Sequence, residues 1–142
     1  MNYTKLVFRI SSWSDLIGKT LTVDFARCKL EWQDTEGILA CSITPDESSE
    51  IRKKLSSSHM EEWVEVYLPP ADVAVFDGYR WSLKLFDGRK LVKKSTGSNA
   101  VPFPQQWNKL NSAVNYGHYI ALEQGKKHPY TTRRKPDRKS VV

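Results

Sequence analysis

Residues Asp77–Trp107 read DGYRWSLKLFDGRKLVKKSTGSNAVPFPQQW, and their reading decides the fold type. Asp77-Gly78 and Asp87-Gly88 each follow an apolar residue. Asp-Gly in that setting signals a hairpin, because tight hairpin turns need positive φ and glycine adopts it at no steric cost. Between the two turns Tyr79–Phe86 alternates, with Trp81, Leu83 and Leu85 on one face. Residues 89–94 form a basic return strand, and Val73–Phe76 form the strand before. If Asp87-Gly88 is the two-residue turn, Leu83 opposes Val92 and Lys84 opposes Leu91. A Gly97-Ser98-Asn99-Ala100-Val101-Pro102 loop follows. The spacing of Trp107, Leu110 and Val114 then predicts a helix over 104–115, interrupted at Tyr116-Gly117. A short element over His118–Leu122 leads to Gly125.

Upstream, Lys5–Ile10 reads as a strand, and Ser12–Gly18 as a turn or single helical turn. Leu21–Trp32 reads as one long strand, paired with Ile38–Ile43 across Asp34-Thr35-Glu36-Gly37. In that register Gln33 pairs with Ile38, Trp32 with Leu39, Leu30 with Cys41, and Cys28 with Ile43. The residues of the last three pairs then share a face, while Glu31, Lys29 and Arg27 take the other. Leu21, Val23 and Phe25 are out of phase with this set, which predicts a bulge or bend near Ala26-Arg27. Thr44-Pro45-Asp46-Glu47 is a helix start with a capping box, and Ile51 and Leu55 form its inner face. Residues 59–68 fit both a helical and an extended pattern until Pro69-Pro70 ends them. The fold class is therefore α+β: one domain, an antiparallel sheet of hairpins, and two main helices packed on it.

Charge divides the chain. Of 22 Lys and Arg, seven (Lys126, Lys127, Arg133, Arg134, Lys135, Arg138, Lys139) lie in 126–142; of 16 Asp and Glu, only Asp137 does. The remaining 15 bases and 15 acids cancel, so the whole net charge of +6 sits in the tail. The expected organisation is a neutral domain over 1–125 with a basic tail over 126–142. Basic DNA-binding folds instead carry their charge on the folded surface.

The chemistry is sparse. Cys28, Cys41 and the three histidines show no metal-ligand spacing, so buried free thiols and no metal are expected. There is no phosphate-cradling glycine loop and no nucleophile elbow, so neither an enzyme nor a cofactor is expected. The longest apolar runs are short and the start lacks an apolar leader, which predicts a cytoplasmic protein without a membrane partner. Two sites remain. Asn99 is a structural pin or a ligand contact on its loop. Lys84, Arg89, Lys90, Lys93 and Lys94, near Tyr79, form either an aggregation-guarding edge or a phosphate-facing strand.

The order helix, Trp63-x-x-x-Tyr67, Asp77-Gly78-x-x-Trp81, Gly97-Ser98-Asn99-Ala100-x-Pro102, Trp107 resembles small functionally uncharacterised α+β domains of bacterial proteins over about residues 45–115. Val101 stands where that pattern has Tyr. The resemblance implies an antiparallel sheet and an extended Trp63–Leu68 segment, and no activity. The functional expectation is a non-enzymatic adaptor. Its neutral body would contact protein, and the tail residues, with Lys90, Lys93 and Lys94, would hold nucleic acid. The alternative is a protein-only inhibitor or immunity-type module of a bacterial or phage conflict system.

Overall fold

The structure, a computed structural model, describes residues 2–12, 18–67, 78–98 and 103–128, with side chains to residue 125. Seven strands form one sheet: β1 (Lys5–Ser12), β2 (Lys19–Asp24), β3 (Lys29–Asp34), β4 (Gly37–Ser42), β5 (Tyr79–Asp87), β6 (Lys90–Ser98) and β7 (Lys126–His128). Their order is β6-β5-β1-β2-β3-β4-β7, and every neighbouring pair is antiparallel. Helices α1 (Pro45–Ser56) and α2 (Trp107–Gln124) complete an α+β fold.

Alternation along each strand sets the layers. Leu6 and Phe8 on β1, Leu21 and Val23 on β2, Leu30 and Trp32 on β3, and Trp81, Leu83 and Leu85 on β5 all point to one side. There they form one core with Ile51 and Leu55 of α1 and with Leu110, Ala113, Val114, Ile120 and Ala121 of α2. Each large side chain buried this way stabilises the fold by about 1.5–3 kcal/mol.

The β3–β4 hairpin has the register expected from its apolar pattern: Gln33 pairs with Ile38, Trp32 with Leu39 and Leu30 with Cys41. Asp34 organises its turn, accepting from the Glu36 N–H at 2.9 Å and from Trp32 Nε1 at 3.0 Å. The expected single strand over Leu21–Trp32 is instead two strands. The chain reverses over 25–28, so Leu21 faces Trp32 and Val23 faces Leu30. An antiparallel reversal pairs odd positions with even ones here. That parity change is what looked like a bulge. Arg27 N–H donates to Asp24 Oδ1 at 3.0 Å, and Cys28 takes a positive φ of 54° to close the turn. Both cysteines are free, and they are half-buried rather than buried.

The β5–β6 hairpin also departs from expectation. Asp87 pairs with Lys90 and Phe86 with Leu91, leaving Gly88-Arg89 as the two-residue turn. Gly88 supplies the positive φ of 62°. A register shift follows at Leu85/Phe86, leaving Val92 as the extra residue. Beyond it Leu85 faces Lys93, Lys84 faces Lys94 and Leu83 faces Ser95, in place of the predicted Lys84–Leu91 and Leu83–Val92 pairs.

The capping box at α1 is complete: Glu47 N–H donates to Thr44 Oγ1 at 3.0 Å, and Thr44 N–H to Glu47 Oε1 at 2.9 Å. Helix α2 runs without interruption through Tyr116-Gly117. A Cβ at Gly117 would stand 2.9 Å from Leu21 Cδ2, so the glycine lets the helix lie close on β2. After α1 a 3-10 turn (Met60–Glu62) leads to an extended segment. There Val66 bridges Thr96 of β6 in parallel fashion. The expected strand at Val73–Phe76 and turn at Asp77 lie outside the described residues. Strand β7 carries the sheet to His128, three residues past the expected boundary at 125, by pairing Ala40 with Lys126 and Ile38 with His128.

Candidate functional site

Because successive side chains on a strand point to opposite faces, the residues between the core positions line a second sheet face that neither helix covers. Pairing places them in rows. One row runs Lys94–Lys84–Val7–Thr22–Glu31–Ala40 across β6, β5, β1, β2, β3 and β4. The next runs Thr96–Ser82–Arg9–Thr20–Gln33–Ile38. On the other side of the first row, Leu91, Phe86, Lys5, Asp24, Lys29 and Ser42 stand in line. Arg80 lies at the opposite end, beyond the Thr96–Ser82–Arg9 row, between Ser98 and Ser11. Ile38, buried, closes the face toward β7.

The charge on this face is not evenly mixed. Its two carboxylates among the described strand residues, Asp24 and Glu31, stand on β2 and β3. The half formed by β1, β5 and β6 holds Lys5, Arg9, Arg80, Lys84 and Lys94 and, among the described residues, no carboxylate. Ser11, Ser82, Thr96 and Ser98 place hydroxyls between the cations. Strand spacing and rise confine the five to a patch of about 10 by 20 Å. Lys84 and Lys94 are directly opposed across β5 and β6. Cross-strand like charges destabilise a sheet, so this arrangement carries a folding cost. Lys5 Nζ lies 4.9 Å from the centroid of the Phe86 ring, which anchors it at the patch edge.

Of the residues singled out from sequence, Lys84 and Lys94 lie on this patch. Lys90 is exposed at the turn, opposite Asp87. Lys93 points to the other side, where its ammonium donates to the Glu61 carbonyl at 3.3 Å and to the Trp63 carbonyl. It holds the segment after α1 against β6. Lys126 and Lys127 sit in β7 opposite Ala40 and Leu39. Arg133, Arg134, Lys135, Arg138, Lys139 and Asn99 lie outside the described residues. Sequence reasoning missed Lys5, Arg9 and Arg80. Their signal is the alternation that also marks the core: each neighbours a buried or half-buried apolar residue and therefore faces away from it.

The carboxylate half of the face holds a shallow depression of ≈ 720 Å³, with Lys5, Thr22, Asp24, Lys29, Glu31 and Ser42 in its lining. Its charges are mixed, and Lys29 Nζ already donates to Ser42 Oγ at 2.8 Å. No group of three or more metal-ligating side chains occurs among the described residues. The shifted titrating groups stand apart. Burial pushes the Cys41 thiol and the Tyr3 and Tyr116 phenols up. His118, stacked on Trp32 at 3.8 Å and 13°, is pushed down by burial. No helix of the described residues is long and apolar enough to cross a membrane. Comparison of the sequence with protein-family models and with curated proteins gave no match.

Proposed function

We propose that this chain is a non-enzymatic nucleic-acid-binding adaptor. It grips phosphates with the β1/β5/β6 half of its helix-free sheet face and with the basic segment that continues from β7. The carrying observation is that Lys84 and Lys94 are held face to face, with Arg9 and Arg80 on the same half of the face and Lys5 at its edge opposite Asp24. A sheet that tolerates such repulsion when free gains when a polyanion neutralises it. The neutral sum over 1–125 hides this, because acids elsewhere on the surface balance it. Each phosphate the face neutralises releases its counterions and steepens the salt slope by about 0.9 on duplex; basic residues of the tail add to it.

Lys94→Glu tests the reading through two readouts that move in opposite directions. Folding stability should rise by a few tenths to about 1 kcal/mol, because the new carboxylate would face Lys84 as an opposite-charge pair. Binding to a mixed-sequence oligonucleotide should weaken, with the salt slope shallower by about 1 or more. Unchanged affinity and slope would remove the patch from the site. No binding by the unmodified full-length protein at about 50 mM salt would favour the protein-only module, since phosphate binding is strongest at low salt.

A further inference from the structure

Independently of the nucleic-acid reading, we infer that the chain self-associates head to tail. Residues 130–135 of one copy add a strand to the open sheet edge at Val64–Val66 of the next. That edge is built by the extended segment after α1. Thr96 N–H donates to the Glu65 carbonyl and Tyr67 N–H to the Thr96 carbonyl, both at 2.9 Å. In this parallel bridge the N–H and C=O of Val66 itself point away from β6. Among the described residues neither has a hydrogen-bond partner. Val64 and Val66 are 53% and 48% exposed beside that open backbone. An unpaired N–H and C=O flanked by exposed β-branched side chains is a template for a further strand.

Charge selects the strand. Glu61, Glu62 and Glu65 on this segment are exposed, and among the described residues no ion pair engages them. Two such edges brought together set like charges against each other, which disfavours edge-to-edge pairing of identical segments. A cationic strand fits, and the sequence holds one. Tyr130-Thr131-Thr132-Arg133-Arg134-Lys135 lies between Pro129 and Pro136, outside the described residues. Its first three residues are strand formers and its last three are cations, with no Pro or Gly among them. Placed antiparallel with Thr132 opposite Val66, it sets Arg133 opposite Glu65, an opposite-charge cross-strand pair. Reach decides which copy supplies it. Val66 and His128 stand at opposite ends of the row that runs through Thr96 and Ile38. They are seven strand spacings apart, or about 33 Å. Lys135 follows His128 by seven residues, which span at most about 25 Å when fully extended. The segment therefore meets the edge of a second copy. The two surfaces differ, so the contact is heterologous and propagates into an open chain of copies.

Sedimentation equilibrium of the nuclease-treated full-length protein tests this. At about 50 mM salt the weight-average mass should exceed the monomer's and rise with concentration, and about 0.5 M salt should lower it toward the monomer. Glu62→Lys/Glu65→Lys should sediment as a monomer, and so should Arg133→Glu/Arg134→Glu/Lys135→Glu. Mixed together the two should associate again, because each then carries an edge complementary to the other's segment. Val66→Pro removes the outward N–H and leaves both bonds to Thr96 in place. It should weaken association several-fold with the circular dichroism spectrum unchanged. A monomeric unmodified protein overturns the inference. So does association that survives in either charge variant, that fails to return in the mixture, or that is indifferent to Val66→Pro in a folded protein. No nucleic acid is present in these measurements, so each outcome leaves the nucleic-acid reading where it stands.

Discussion

Gly97→Ala adds a single methyl group to β6. Its carbon would lie 2.7 Å from both Trp81 Nε1 and Cζ2 and 2.8 Å from Cε2. Real Cβ contacts are not that short, so the indole or the strand must move. The indole has little room. It is 3% exposed and packs against Trp107, Trp63 and Tyr67 with centroids 5.0, 5.9 and 5.9 Å away. Overpacking of this kind costs about 1–3 kcal/mol, and the stiffer unfolded chain of Ala returns about 0.4–1 kcal/mol. A net loss of about 1–2 kcal/mol follows, or roughly 4–8 °C of Tm for a chain of this size. Thermal and urea unfolding, followed by near-UV circular dichroism, measures it. Gly88→Ala is the control. Nothing lies within 4 Å of that Cβ, yet φ is +62°, so its cost is backbone strain alone. Trp81→Phe should therefore offset part of the Gly97→Ala loss and none of the Gly88→Ala loss. A Gly97→Ala protein as stable as the unmodified one would refute the reasoning. So would losses for Gly97→Ala and Trp81→Phe that simply add within about 0.5 kcal/mol, the usual range for uncoupled sites.

Two further outcomes can be checked by the same unfolding measurements. Thr44→Ala removes the side chain that accepts from the Glu47 N–H and should cost about 1 kcal/mol, whereas Thr44→Ser should restore most of it. His118 is held below its ordinary 6.5, chiefly by burial against Trp32, with Asp34 opposing and Lys19 reinforcing. Its neutral form is thus favoured in the folded state. The stability this gives is present above pH 6.5 and is lost as pH falls through the folded value. His118→Gln should flatten the decline of stability between about pH 7 and 5, and a profile as steep as the original would place the acid sensitivity elsewhere.

The elements that could be read directly were those whose signals are local. The Thr44–Glu47 capping box lies within one turn, and the β3–β4 register follows from apolar residues on both sides of a short turn. The β2–β3 reversal escaped because its turn holds no Gly, Pro or Asn. Cys28 takes the positive φ there, at a cost the surrounding hairpin has to offset. The phase change at Phe25 was visible, but a bulge and a reversal shift parity alike. Val92 hid the β5–β6 register in the same way, and that moved Lys93 from a site residue to a structural tether. The cationic patch was illegible for another reason. It is assembled from strands far apart in sequence, and summed charge carries no information about which face a residue takes.

Strand β1 lies inside the sheet, with β2 on one side and β5 on the other. The β2 partner is close in sequence, while pairs such as Lys5 with Phe86 close a loop spanning most of the body. During synthesis, therefore, β1 through β4 can pair while the far edge of β1 waits for a strand that has not yet been made. That edge, KLVFRI, is apolar and β-prone, the kind of segment that templates aggregation when unpaired. Lys5 and Arg9 bracket it, and flanking charges of this sort act as gatekeepers. The residues that give the finished surface its positive character thus also protect the nascent chain while the β1–β5 seam is open.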